Sequence, residues 1–200
     1  MYKPYLDEPE PIEDIVKKDE KWGEDYYFKL LNKSRRILLF DEINNCSADI
    51  ICTKLKVMDM LDNKSPIYLE INSCGGSVPD GLAIIDTMER IKAPITTIIT
   101  GEAASMSALV SISGNKRLIT LNGCWMEHSI SDLAGGFLEH IRDRTNFLIK
   151  LEKKLDLILK TKTKLTNRQM TQIKNGELWL FAEDCLKYGI VDSILKPNKK

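Results

Sequence analysis

Histidine is scarce in this sequence, and several features that would assign a class of protein are missing from it. His128 and His140 are the only histidines among 200 residues. No run approaches the roughly 18 consecutive apolar residues that a membrane span requires, and no G-x-x-x-x-G-K-[ST] loop for nucleotide phosphates occurs. We therefore expect neither a membrane protein nor an ATPase.

An excess of charge of either sign is also missing. The 29 Lys and Arg residues balance the 29 Asp and Glu residues, so the formal net charge is zero. A nucleic-acid-binding protein normally carries a basic patch, and we expect no nucleic-acid partner here. The first residues, MYKPYLDE, lack the apolar core of a signal peptide. These features favour a cytoplasmic location with no membrane association.

Paired cysteines are missing too. The five cysteines are scattered and odd in number, and no C-x-x-C pair occurs: Cys46, Cys52, Cys74, Cys124 and Cys185. This spacing suits neither zinc nor a disulfide framework, and it is typical of free thiols in a reducing compartment. We expect no metal and no cofactor.

The chain divides by composition into an arm, one domain and a short tail. Residues 1–25 hold nine acidic residues against four lysines, together with three prolines, which predicts a flexible acidic arm. Apolar periodicity begins at Tyr26 and continues to Leu195, which predicts a single domain over 26–195. Residues 196–200 form a tail that we expect to be disordered.

Within that domain, strands and helices alternate. Apolar runs at 36–40, 66–71 and 94–100 predict strands, and helical spacing follows each of them. This order predicts an α/β fold with parallel strand pairing, in which functional sites lie at the carboxyl ends of strands. Two short strands follow at 117–120 and 124–128, then a helix over about 136–161, helices at 166–175 and 182–188, and a last strand at 190–195. The helix at 136–161 would extend roughly 37 Å and is longer than a compact domain needs, so we expect it to pack against another subunit.

The stretch TGEAASMS places Ser105 where a strand gives way to a helix. A serine there can be a helix N-cap, or a nucleophile at the positive end of the helix. In the second case the N–H of Met106 is placed to stabilise an oxyanion. The glycines of NSCGGS follow a neighbouring strand, where their backbone can approach a substrate closely.

Two further residues complete a candidate set for acyl transfer. His128 ends a short strand and can act as a general base or be a half-buried structural ring, whereas His140 lies within the long helix and is expected to be solvated. Glu177 follows the Asn175-Gly176 turn, where its carboxylate can orient a histidine or be a surface charge. Cys74 can also be a nucleophile, although a buried inert thiol is the favoured interpretation.

Four segments in this order resemble the ClpP family, the serine-peptidase subunits of ATP-dependent Clp proteases: INSCGGSVPDGLAIIDTMERI, TGEAASMSALV, WMEHS and AEDCLKYGIVDSIL. The resemblance implies a spiral of ββα units with a protruding handle helix, here about 136–161. It implies that Ser105 is the nucleophile and His128 the base, and that the N–H groups of Gly76 and Met106 form the oxyanion hole. It also implies homo-oligomers of stacked seven-membered rings that enclose their active sites, hydrolyse polypeptides and work with an AAA+ unfoldase.

The chain departs from the family pattern at several positions. Cys74 replaces a proline of the glycine loop, Ile130 replaces the proline two places after the histidine, and Glu177 stands where the third triad member is usually Asp. In the cleft that receives the apolar loops of the ATPase, the pattern is altered at Glu70, Arg90 and Thr100, although Glu70 and Arg90 can pair with each other.

Three hypotheses follow from these observations. The leading one is a ClpP-type serine endopeptidase with a Ser105–His128–Glu177 triad. The second is a non-catalytic subunit or scaffold in a mixed ring, which the changed residues favour and the retained serine and histidine oppose. The third is a related crotonase-like or signal-peptide-peptidase-like enzyme.

Overall fold

The computed structural model describes residues 24–131 and 135–197. Most of the predicted acidic arm, residues 1–23, therefore lies outside the described residues, as do positions 198–200 of the tail. The chain forms two units, and the first, up to Ser34, contains helix α1 (Glu24–Lys33). The second unit begins at Arg35 and contains the sheet and the candidate site.

The second unit is a mixed α/β structure, as the sequence predicts, and its strands form one seven-stranded sheet. The remaining elements in chain order are β1 (Arg36–Leu39), α2 (Asn45–Leu61), β2 (Ile67–Ser73), α3 (Val78–Arg90), β3 (Ile95–Ala104), α4 (Met106–Ser111), β4 (Lys116–Thr120), β5 (Cys124–His128), α5 (Leu138–Lys162), α6 (Asn167–Asn175), β6 (Glu177–Phe181), α7 (Ala182–Lys187) and β7 (Ser193–Leu195).

The sheet order is β1-β2-β3-β4-β7, and every pair along this path is parallel. Strand β3 is ten residues long and pairs with two strands in addition to β2. Its first half pairs with β4, and its last three residues pair with β5. Its first five residues are all buried, as expected of a parallel strand covered on both faces. The end of β3 therefore lies between β2, which precedes the glycine loop, and β5, which carries His128.

Polar side chains define the beginnings of the helices that flank these strands. The side chain of Ser77 accepts a hydrogen bond from the N–H of Asp80 and caps α3, as its position in the sequence predicts. Thr166 and Gln169 form the predicted capping box of α6. Each cap satisfies backbone donors that a helix leaves unpaired at its first turn.

One strand is not anticipated by the sequence analysis. Glu177 does not lie in a loop after the glycine turn but is the first residue of β6, which pairs antiparallel with β5. The expectation of purely parallel pairing is wrong for this pair. The register between β5 and β6 places Glu177 directly opposite His128.

The long helix α5 spans 25 residues, close to the predicted bounds. Its only buried side chains within the described part of the chain are Leu155 and Leu159, both near its carboxyl end. Toward the amino end, Phe137 is 80% exposed and Phe147 is 50% exposed. The described helices include none that is both long and apolar enough to cross a membrane.

The surface of β1 and β2 carries an ion pair that excludes one alternative left open by the sequence. Glu70 pairs with Arg36, not with Arg90, because parallel pairing of β1 and β2 sets Arg36 beside Tyr68, two positions before Glu70. The guanidinium of Arg36 also lies 5.1 Å from the centre of the Tyr68 ring. The charge of Glu70 is therefore compensated within the sheet.

Candidate active site

Ser105 lies at the junction of β3 and α4 with a backbone conformation that few L-residues adopt. Its φ is +54° and its ψ is −127°. Its N–H donates a hydrogen bond to the carbonyl of Met126 at 2.8 Å, and its carbonyl accepts one from the N–H of Ala108 at 2.9 Å. Such strain persists only where neighbouring structure enforces it, and it is concentrated at functional sites. A sharp turn of this kind presents the serine hydroxyl at the end of a strand.

The side chain of Ser105 does not cap helix α4. It accepts no hydrogen bond from a backbone N–H of the first turn, so the alternative interpretation as an N-cap is not supported. Ser105 instead lines a cleft together with Gly76, Met106 and His128. The hydroxyl therefore borders open space at the amino end of a helix.

The glycine loop after β2 packs directly on this turn. Gly75 has a φ of +96°, and a Cβ atom placed on it would lie 2.6 Å from the carbonyl oxygen of Ala104 and 2.9 Å from the backbone nitrogen of Met106. No side chain fits in that space, since real Cβ atoms do not approach other heavy atoms so closely. The two glycine- and alanine-rich motifs are thus in contact, as the topology predicts.

Ser107, a second serine of the same motif, forms hydrogen bonds to both the glycine loop segment and the serine turn. Ser107 is fully buried, and its hydroxyl lies 2.6 Å from the carbonyl oxygen of Ser73 and 2.8 Å from that of Ala104. The hydroxyl of Ser73 donates in turn to the carbonyl of Asp41 at 2.6 Å. Ser107 therefore joins β2 to the turn that carries Ser105, a role that its position in the sequence does not reveal.

Gly76 and Met106, the residues expected to supply the oxyanion hole, both lie at the cleft. Gly76 is fixed by its neighbours, because Ile43 donates its N–H to the carbonyl of Gly75 at 2.6 Å and accepts from the N–H of Ser77 at 2.8 Å. Neither the Gly76 nor the Met106 N–H donates a backbone hydrogen bond in the described part of the chain. Both residues line the cleft beside Ser105.

His128 is the last residue of β5 and lines the same cleft as Ser105. Its backbone N–H donates to a carboxylate oxygen of Glu127 at 3.2 Å. Its ring forms no hydrogen bond with any described residue, including Ser105 and Glu177. The structure brings the serine and the histidine to one cleft, and catalytic hydrogen bonds often tighten only when substrate binds.

Glu177 lies directly opposite His128 in the antiparallel pair of β5 and β6. Residues opposite each other project from the same face of a sheet, with Cβ atoms about 5 Å apart. The carboxylate of Glu177 is exposed and accepts a hydrogen bond from the indole N–H of Trp179 at 2.8 Å. The structure therefore places the predicted orienting residue beside the histidine but engages its carboxylate with another partner.

Glu127 is a site residue that sequence analysis missed. Its side chain is only 5% exposed and lines the cleft that contains Ser105. Burial raises the pKa of this carboxyl well above its usual value, opposed by the hydrogen bond from the N–H of His128 and reinforced by the negative charge of Asp156. Alternation along β5 could have identified this residue. It places Glu127 on the face opposite His128, together with the buried Trp125, where a carboxyl group is unexpected.

Cys74 differs from the expectation, because its thiol is exposed in the glycine loop and not buried. All five cysteines are free. Among the described residues, no group of three or more His, Cys, Asp or Glu side chains is arranged to hold a metal ion.

Comparison with known proteins identifies the family. The family described as Clp protease matches residues 17–198. The chain is 37% identical over 179 residues to an ATP-dependent Clp protease proteolytic subunit of Streptococcus mutans, covering 88% of this chain and 91% of that protein. Proteins of the same description from Streptococcus pyogenes and Streptococcus equi are 35% identical over the same shares of each chain. The mixed sheet, the contact between the glycine loop and the serine turn, and these matches over most of the chain show that it belongs to the Clp protease family.

Proposed function

We propose that this chain is a serine-type endopeptidase, the proteolytic subunit of a Clp-like protease that encloses its active sites and hydrolyses unfolded polypeptides and short peptides. The observation that carries the proposal is the strained turn at Ser105, whose hydroxyl borders a cleft with His128 and does not cap the helix that it precedes. The relatives named above are described as proteolytic subunits of ATP-dependent Clp proteases, which supports the same activity.

In this proposal the Ser105 hydroxyl attacks the carbonyl carbon of the scissile peptide bond. Neutral His128 accepts the hydroxyl proton as the new C–O bond forms. The resulting imidazolium donates that proton to the nitrogen of the leaving amine as the C–N bond breaks. A water molecule then hydrolyses the acyl-enzyme by the same route and restores Ser105.

The negative charge that develops on the carbonyl oxygen is stabilised by the N–H groups of Gly76 and Met106. Both border the cleft and neither donates a backbone hydrogen bond within the described residues, so they do not have to break a bond in order to act. Removal of one such donor typically costs about 3 kcal/mol of transition-state stabilisation.

Glu177 is proposed to orient the ring of His128 and to stabilise the imidazolium. Its position opposite His128 supports this role, although its carboxylate must leave the indole N–H of Trp179 or share it. The carboxylate is exposed, so exchanging one hydrogen bond for another costs little. The cross-strand register keeps Glu177 close to the ring throughout.

A fluorophosphonate probe tests the proposed activity directly, because it forms a covalent bond only with an activated serine. We expect stoichiometric labelling of the assembled protein and complete loss of labelling in Ser105→Ala. The matched control is Ser107→Ala, which removes a buried hydroxyl of the same motif and should keep some labelling. Absence of labelling in the unmodified protein would favour the alternative of a non-catalytic subunit in a mixed ring.

The proposal extends to assembly into stacked seven-membered rings through helix α5. Its 25 residues bury only two side chains within the subunit described here, while apolar residues near its amino end stay exposed or half-buried. A second copy of the chain would remove this surface from water, which stabilises the assembly by about 25 cal/mol per Å² of apolar area buried.

The cytoplasmic location also remains a prediction.

Replacing Leu148 by aspartate should separate stacked rings into single rings or smaller species. Leu148 is half-buried in one subunit, and a charge in an apolar interface costs several kcal/mol when it has no partner. Analytical ultracentrifugation measures the change. Asn146→Asp, which adds the same charge at an exposed position two residues away, is the matched control. Unchanged sedimentation of Leu148→Asp would show that α5 is not the interface.

The proposed partner is an AAA+ unfoldase, but with a docking cleft that differs from the family pattern. Arg36, Tyr68 and Glu70 form a charged cluster on β1 and β2, and Thr100 directs its hydroxyl toward the carbonyl of Ile71 at 3.3 Å. An apolar docking loop would have to desolvate these groups. A dedicated unfoldase with polar or charged docking loops fits this surface better.

Replacing both members of the charged pair, Arg36→Leu with Glu70→Tyr, should increase coupling to a standard Clp unfoldase by about tenfold or more, since each 1.4 kcal/mol is tenfold in affinity. Glu70→Tyr alone should not, because it leaves Arg36 without its carboxylate. ATP-dependent degradation of an unfolded reporter measures coupling, and hydrolysis of a short peptide without ATP is the control. Rapid degradation by the unmodified subunit with that unfoldase would contradict the altered cleft.

A further inference from the structure

Glu127 lines two neighbouring pockets at the candidate site, which share several lining residues. It lines the cleft that contains Ser105 and also the adjoining pocket formed against α5 and α6. The mechanism above gives it no task. A carboxyl group on the buried face of a strand is costly unless something compensates it, so its presence there calls for a function.

Only one of the two carboxylate oxygens of Glu127 has a partner. One oxygen accepts the backbone N–H of His128 at 3.2 Å. The other is buried and has no hydrogen-bond partner within the described residues. A buried oxygen without a partner costs roughly 1–3 kcal/mol. A ligand that brings a donor to this oxygen recovers that free energy.

The charges around Glu127 favour a cationic donor. Glu152 and Asp156 lie one turn apart on α5 and line the same pocket. Lys174 of α6 pairs with Asp156 at 2.9 Å, and His128 is the remaining titratable group on the lining. The lining thus holds three carboxyl groups, and the one lysine described beside it is already paired with Asp156.

We propose that Glu127 selects substrates with lysine or arginine at the residue that supplies the scissile carbonyl. The side chain of that residue enters the cleft beside Ser105, and its ammonium or guanidinium donates to the unpartnered oxygen of Glu127. The aliphatic stem packs on the apolar lining of Val78, Leu109 and Leu155. This specificity rests on the proposed peptidase activity, since it concerns the substrate of the same site.

The proton on Glu127 makes this preference depend on pH. Burial and the charge of Asp156 raise its pKa, so the carboxyl is protonated in the free site over a range in which an ordinary glutamate is ionised. Binding of a cation favours the ionised form, and the proton passes to solvent. Selectivity for a basic side chain therefore rises with pH until the free carboxyl is itself ionised.

The test compares two peptides that differ only in lysine or norleucine before the scissile bond. The ratio of their kcat/KM values is measured between about pH 6 and pH 8.5. Both peptides present the same reacting bond to Ser105, so steps common to the two cancel in the ratio. We expect a ratio above about ten that rises with pH. In Glu127→Gln, which retains an acceptor for the N–H of His128, we expect a ratio at least tenfold lower and constant with pH.

Two controls separate the possible outcomes. Glu89→Gln removes an exposed carboxylate that pairs with Lys162, outside the lining residues, and should keep the unmodified ratio. Glu127→Leu, which places an apolar side chain on the buried face, should lower the ratio as Glu127→Gln does. A ratio near one in the unmodified enzyme, with probe labelling of Ser105 intact, would overturn this specificity and leave the proposed activity standing. Absence of both labelling and hydrolysis would overturn the proposed activity and this inference with it.

Discussion

Replacing Ser105 by alanine is expected to lower kcat for peptide hydrolysis by a factor on the order of 10⁴ to 10⁶. The residual rate would come from binding and from the two N–H donors of the cleft, which act without the serine. The fold should remain, because the Ser105 backbone bonds to Met126 and Ala108 do not involve the side chain that is removed. Alanine keeps the Cβ atom that serine already places in the strained turn, so the variant adds no steric contact there.

His128→Ala should cause a loss of the same order, and the double variant should lose little more. A nucleophile and its base act as a unit, so that removing either one disables the shared step. Turnover of a short peptide measures the chemistry without dependence on an unfoldase. His140→Ala is the matched control, because this second histidine is exposed on α5 and contacts the ring of Phe137. Unmodified turnover in His128→Ala would show that the assigned base is wrong.

Much of the fold is predictable because its strands are apolar runs between turn signals. The exception, β6, alternates between buried and exposed positions, yet its exposed positions include Trp179 and Phe181, which are 47% and 68% exposed. Its hydropathy therefore does not alternate with its burial. A strand of five residues also offers little periodicity from which to infer it. The position of Glu177 opposite His128 could not be predicted without that strand.

The candidate site also has features that the sequence predicts and features that it does not. The meeting of the NSCGGS and TGEAAS loops follows from topology, because the carboxyl ends of neighbouring parallel strands lie at one edge of a sheet. The pairing of Glu70 with Arg36 depends on the register of β1 and β2, to which local sequence is insensitive. The unpartnered oxygen of Glu127 depends on how α5 and α6 pack against β5. The Glu70–Arg36 pair and the environment of Glu127 both depend on contacts between residues that are distant in the sequence. Local sequence patterns therefore could not predict them.

Replacing Gly75 by alanine is expected to reduce kcat/KM by about a hundredfold, although the variant changes no group that reacts. Gly75 has a φ of +96°, where an L-residue costs about 1–3 kcal/mol. The new methyl group would also lie 2.6 Å from the carbonyl oxygen of Ala104 and 2.8 Å from the Cβ of Ser105. These are backbone or backbone-adjacent atoms that cannot rotate away. The turn must shift, and a displacement near 1 Å of a nucleophile costs about this factor.

Gly135→Ala is the matched control for the Gly75 variant. A Cβ atom on Gly135 would meet nothing within 4 Å, so this variant should hydrolyse peptides like the unmodified protein. Fluorophosphonate labelling should become slow in Gly75→Ala while far-UV circular dichroism and sedimentation stay unchanged, because the displaced groups belong to one turn. Labelling measures the geometry of Ser105 independently of substrate binding. Full labelling speed together with unmodified kcat/KM would show that contact between the glycine loop and the serine turn does not position the nucleophile.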